Sequence, residues 1–174
     1  MDLAALHTGE IHWFSDWPHS VVPKSGAAVY TIWDRSGRFL YGGMAGGGKG
    51  PNDKGPFGRL DSHANGRRSG NQFCIYVQDR VILRRVINRI PDITERKLSL
   101  DDLVKEYIRT ELGFRLLVCQ SRAEASQIER QIKDGCLPCG KPEFNPGGTD
   151  MVSPTSSPGE AGKQKPTPRP VTRR

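Results

Sequence analysis

The sequence predicts an α+β domain: a small three-stranded antiparallel or mixed sheet flanked by helices, in β-β-α-α-β-α order. Three observations predict it. Two short β-branched and aromatic runs stand on either side of one turn. A third apolar run, FRLLVC, lies alone between two helical patterns. Each of those patterns opens on a serine followed three residues later by an acid, the signature of a capped helix start.

The elements follow in order. Residues 1–24 form an arm whose Trp13, Phe14 and Trp17 predict partial packing onto the domain. Ala27 to Trp33 (AAVYTIW) reads as a strand, Asp34 to Gly37 as a turn, and Arg38 to Gly42 (RFLYG) as the returning strand of a hairpin. A glycine-rich loop runs from Gly42 to Gly58. A helix then starts near Pro56, carries Phe57, Leu60 and Ala64 on one side, and ends before Gly66. Phe73 to Val86 fits two periods: Phe73, Val77 and Val81 suit a helix, while Phe73, Ile75 and Val77 suit a strand; helix is the favoured reading. Ser99 and Asp102 open a helix with Leu103, Val104, Tyr107 and Ile108 as its apolar stripe, and Gly113 is its expected stop. Phe114 to Cys119 is the third strand. Ser121 and Glu124 open the last helix, which runs to Gly135.

The 174 residues suit one domain, placed at 25–147. No apolar run approaches the roughly 20 residues of a membrane helix, and MDLAALHTGEIHW lacks the basic and apolar regions of a secretory signal. A cytoplasmic protein with reduced cysteines and no membrane partner is the expectation. The formal charge of +7 is unevenly spread. Nine basic and three acidic side chains leave residues 49–89 at +6, while residues 1–48 and 90–149 are each at −1. The rest lies in the tail, 148–174, whose Pro, Ser, Thr and Gly content predicts disorder.

Several residues could carry chemistry. Tyr30 and Tyr41 are either amphipathic strand residues or site residues. Arg59 and His63, four apart, share a helix face and offer a fork of donors for phosphate, or else form a solvated face. Glu129 borders the stripe Ala125, Ile128 and Ile132, where a carboxylate wants a cation or donors unless its head stays wet. Gly43 to Lys49 has a phosphate-loop outline, but Gly50 and Pro51 stand where a metal-binding hydroxyl and a helix should follow. Cys136 and Cys139 have the spacing of half a zinc site with no second pair nearby; structural loop cysteines are the default reading.

The order of these residues resembles the GIY-YIG nuclease superfamily across about residues 27 to 146. Ala28-Val29-Tyr30 matches the first motif and Tyr41-Gly42-Gly43, eleven residues on, the second. Arg59 matches the arginine of the first helix, His63 the histidine one turn later in restriction-type members, Glu129 the late-helix glutamate, and Asn145 a closing asparagine after a proline. Gly42 replaces the central isoleucine of the second motif, which removes a buried side chain. Met44 stands where many members have a polar residue or lysine.

The resemblance implies a single-domain, metal-dependent DNA endonuclease. Glu129 would hold one Mg²⁺, with Mn²⁺ able to substitute. Arg59 would bind the non-bridging phosphate oxygens and Tyr30 would take the proton of the attacking water. Tyr41 and His63 would orient water or phosphate, and Asn145 would brace the site. Lys49, Lys54, Arg67 and Arg68 would supply the nucleic-acid-binding surface. Sequence specificity would come from loops, a homodimer or a separate DNA-targeting partner, or be absent. The competing expectation is a nucleic-acid-binding module with a decayed site.

Overall fold

The computed structural model describes residues 3–47 and 55–147. Lys49, Lys54 and the tail lie outside them. The fold is α+β, with a four-stranded sheet built from β1 (His12–Trp13), β2 (Ala27–Asp34), β3 (Phe39–Gly46) and β4 (Leu112–Cys119). The order is β1-β4-β2-β3 and every neighbouring pair is antiparallel. The expected three strands are therefore corrected to four. The extra strand comes from the N-terminal arm and is two residues long, too short to show an alternating pattern.

That strand also corrects the role of Gly113. It stops no helix. It pairs with Trp13, and a Cβ there would lie 2.8 Å from Ile11 Cγ1 and 3.0 Å from Trp13 Cε3. Only a residue without a side chain lets the arm lie this close.

The described helices are α1 (Ala4–His7), α2 (Gly55–Ala64), α3 (Gln72–Val77), α4 (Leu83–Val86), α5 (Ile90–Thr94), α6 (Leu100–Glu111) and α7 (Arg122–Asp134). Two of the capping signals act as their chemistry requires. Ser99 Oγ accepts the Asp102 N–H and Ser121 Oγ accepts the Glu124 N–H. Gly135, at φ +95°, closes α7, with its N–H and that of Cys136 bonding back into the last turn. The ambiguous stretch after Phe73 is helical, because Phe73, Cys74 and Val77 are buried together. Between α3 and α4 the helix widens into a π-helical stretch, Gln78–Ile82.

The sheet divides two clusters. Tyr30 and Ile32 of β2 join Tyr41, Leu60, Phe73, Val104 and Ile108 on the side of α2, α3 and α6. Ala27, Val29 and Trp33 face Ala125, Ile128 and Ile132 of α7 on the other. The outer edge of β3 is covered by residues 143–145. Glu143 and Phe144 donate backbone N–H groups to the Phe39 and Leu40 carbonyls, and Asn145 continues the pairing with its side chain. Among the described residues, no helix is long and apolar enough to cross a membrane.

The vacancy expected at Gly42 is filled. A Cβ there would meet Ile132 Cδ1 at 2.8 Å and Cγ1 at 3.2 Å, so α7 supplies the apolar volume that the second motif lacks. Gly42→Ile should therefore overpack the interface and cost about 1–3 kcal/mol in urea unfolding. In an Ile132→Ala background the same substitution should cost less. Equal costs in both backgrounds would show that Ile132 does not occupy that space.

Candidate active site

β2 and β3 set Tyr30 opposite Gly43 and Ile32 opposite Tyr41, so both tyrosines project from the face that α2 covers. Gly43 is needed for this. A Cβ there would lie 2.6 Å from the Tyr30 hydroxyl oxygen and 2.9 Å from the Tyr41 ring. The two rings stack with centroids 6.3 Å apart, and Phe73 of α3 packs edge-on against His63 at 4.8 Å.

At the centre is a buried chain of hydrogen bonds. The Tyr30 hydroxyl lies 2.7 Å from His63 Nε2, and His63 Nδ1 lies 2.9 Å from Asn71 Oδ1. Asn71 Nδ2 donates to the Ser62 carbonyl at 3.0 Å, which fixes Oδ1 as the acceptor. Neutral His63 therefore carries its proton on Nδ1, and Nε2 accepts from the Tyr30 O–H. Burial drives the His63 pKa down to about 3, Arg59 lowers it further in the same direction, and the Asn71 hydrogen bond opposes both. His63 is neutral at ordinary pH.

Arg59 reaches both tyrosine hydroxyls from α2. Burial opposes its charge, but the tyrosines outweigh burial and raise its pKa. Burial also raises Tyr30 and Tyr41 above their usual range, against the lowering pull of Arg59, so both are neutral phenols. Glu129, on α7, adds to that rise. Arg59 Nε is buried and has no hydrogen-bond partner, an unpartnered donor on the residue that reaches the tyrosines.

The structure thus brings Tyr30, Tyr41, Arg59 and His63 into contact, with Glu129 close behind. Glu129 Oε1 accepts from Lys133 Nζ at 2.9 Å, one turn along α7. Asn145 touches none of the four; its amide exchanges two hydrogen bonds with the Gly42 backbone, at 3.0 and 2.7 Å, and holds β3 in place. Arg67 is exposed. Arg68 is engaged by the Asp101 carboxylate and by Gln78 Oε1 at 2.6 Å, which ties the loop after α2 to α6 and to the π-helical stretch. Met44 pairs with Val29 and packs on the α7 side, so a lysine at this position would not face Tyr30.

Asn71 was not foreseen. Its sequence signal is an ordinary helix N-cap, and its side chain does accept the Cys74 N–H, at 3.4 Å. Its contact with His63 depends on how α2 and α3 pack, which no local pattern encodes. Cys136 and Cys139 are exposed free thiols. Among the described residues, no group of three or more His, Cys, Asp or Glu could hold a metal. A cage made of protein alone is therefore absent there. A lone carboxylate such as Glu129, here paired with Lys133, would hold only a hard cation that keeps most of its waters. No family model matches the chain, and neither the curated proteins nor the solved structures give a match.

The neutral state of His63 has a consequence for stability. Its pKa is about 3 folded and about 6.5 unfolded. The unfolded chain binds the extra proton between those values, so this contribution is complete above about pH 6.5 and is lost as pH falls toward 3. Urea unfolding between about pH 7 and 5, where most carboxylates stay ionised, should show wild type weakening. His63→Phe should weaken less. His12, lowered by burial above all, acts in the same direction in both proteins. Equal slopes would contradict the buried neutral histidine.

Proposed function

We propose that the chain is a metal-dependent endonuclease that hydrolyses phosphodiester bonds in DNA, on a fold of the GIY-YIG type. One observation carries the reading: two neutral phenols, an arginine with an open buried donor and a histidine held as a base meet at one point, with a carboxylate behind them. A buried unpartnered guanidinium donor also occurs at Arg115 Nη1, so the one at Arg59 counts through its place beside the phenols and the histidine. Hydrolysis of a phosphodiester has a use for a donor there, because negative charge grows on the non-bridging oxygens.

The steps assigned to this chain's residues are as follows. Arg59 binds the phosphate. Water attacks phosphorus, its proton passes to the Tyr30 oxygen, and the Tyr30 proton passes to His63 Nε2 at 2.7 Å. The P–O bond opposite the attacking water breaks, the leaving oxygen takes a proton from solvent, and His63 later returns its proton to solvent through Tyr30. A phenol with a raised pKa cannot work as a standing phenolate; as a shuttle it never bears full charge. His63 is a weak base in the resting site partly because of the Arg59 charge. Phosphate offsets that charge, so the histidine becomes a better acceptor when substrate is present. Bound at Glu129, Mg²⁺ would stabilise charge on phosphorus and the leaving oxygen.

A second reading is a DNA-binding module with a silent site. Two observations favour it: Tyr30 is 0% exposed and Lys133 already neutralises Glu129. Supercoiled plasmid separates the two. Nicking should require Mg²⁺, cease in EDTA, and fall by about 10²-fold or more in Arg59→Ala, as when one transition-state donor is removed; Glu129→Ala should abolish it. Tight binding without nicking in Mg²⁺ or Mn²⁺ establishes the module.

The tautomer assignment makes a further prediction. Asn71→Asp replaces the neutral acceptor of His63 Nδ1–H with an anion, which raises the His63 pKa. The acid limb of the rate profile should move to higher pH. An unmoved acid limb would mean that His63 takes no proton in the reaction.

A further inference from the structure

The notional positive surface of residues 49–89 is redistributed by the fold. Arg59 belongs to the site and Arg68 is held by Asp101 and Gln78. Arg67 stands exposed, and so does the run that leaves α3: Arg80, Arg84, Arg85, Ile87, Asn88, Arg89 and Ile90. Residues 87–94 contain no buried side chain. Ile87 is 64% exposed and Ile90 42%, two large apolar side chains set among arginines. Of this segment only Ile93 packs against the core, half-buried, so Ile87 and Ile90 gain little from their own domain and are suited to bury against something else.

The ridge starts at the site. Arg80 lies over the Tyr76 ring at 5.6 Å, and Tyr76 lies 6.5 Å from Tyr41. Arg80 also donates to the Glu143 carbonyl at 2.6 Å, in the segment that covers β3. One turn on is Arg84, with Ile87 and Asn88 three and four residues beyond it. Arg85 points elsewhere, over the Tyr107 ring of α6 at 4.7 Å. Arg89 pairs with Asp92 at 2.9 Å. Within residues 80–91 there are four arginines and no acid.

We propose that this ridge is where duplex DNA lies beside the site. Arg84 contacts phosphate, and Ile87 with Asn88 faces a groove. The inference rests on the nuclease reading. Charge selects the occupant: a second copy of the same ridge would bring arginine against arginine, whereas duplex DNA offers phosphates for Arg84 and base edges and thymine methyls for Asn88 and Ile87.

A matched pair of variants tests it. Arg84→Gln and Arg85→Gln remove the same charge from adjacent exposed positions, but Arg85 lies over the Tyr107 ring of α6 and away from the ridge. Binding of the full chain to a short fluorescent duplex is measured across a range of salt concentrations without divalent ions. Arg84→Gln should lower the log–log salt slope by about 0.9, one phosphate contact; Arg85→Gln should leave the slope unchanged. Ile87→Ser should reduce the spread of affinity between duplexes of different sequence and leave the slope intact. Equal slopes for Arg84→Gln and wild type, or equal losses in both glutamine variants, overturn the ridge while leaving the nuclease reading standing. Wild-type protein that binds no duplex at any salt overturns both. Concentration-dependent self-association lost in Ile87→Ser makes the ridge an interface between copies and overturns the DNA assignment.

Discussion

The site depends on one constraint, a histidine that must be both fully buried and neutral. His63 is 0% exposed, and a charged imidazole there would face the Arg59 guanidinium without water. Neutrality leaves it one N–H and one lone pair, and each has a single use. Asn71 takes the N–H, and the Tyr30 hydroxyl supplies a proton to the lone pair. Asn71 is itself fixed through the Ser62 carbonyl. The direction of the Tyr30 O–H is therefore set by a backbone atom three side-chain contacts away. With its own proton committed, the Tyr30 oxygen presents its lone pairs to Arg59.

The same constraint explains the glycines of β3. A tyrosine that points its hydroxyl at a helix must lie nearly flat over the neighbouring strand, and Gly43 is the residue beneath it. Gly42 serves the opposite face, where Ile132 of α7 needs the space. Two adjacent residues without side chains make the edge strand thin where α7 carries Glu129. The outer backbone edge of that strand has no further strand beside it, and Asn145 pairs with the Gly42 backbone there as another strand would. Asn145 is thus a positioning residue for the sheet edge, with its side-chain hydrogen bonds going to the Gly42 backbone and none to the phenols.

Much of this was legible in the sequence, for identifiable reasons. The hairpin and the capped helices announce themselves through local chemistry: β-branched runs around a turn, and serines whose hydroxyls have a donor to accept. Arg59 and His63 could be paired because helical periodicity alone puts them on one face. Asn71 could not, since its partner lies on another helix. β1 is too short for a period, and Gly113 reads as a helix stop because the arm that requires a glycine there is distant in sequence. The positive charge of residues 49–89 was visible as a sum, but ion pairing decides which arginines stay outward. Arg68 is committed to Asp101, whereas Arg84 is exposed on the ridge.

The central claim is that Tyr30, Arg59, His63 and Glu129 act on one phosphate. The most direct measurement is a crystal structure of the full chain with a short duplex and Ca²⁺, a hard cation that takes oxygen ligands as Mg²⁺ does but with looser geometry. The account predicts the scissile phosphate on Arg59, the cation between it and Glu129, and a water within hydrogen-bond distance of the Tyr30 oxygen. Lys133 should have given up the carboxylate. Duplex bound elsewhere, with Glu129 still paired to Lys133 and no phosphate on Arg59, would contradict it.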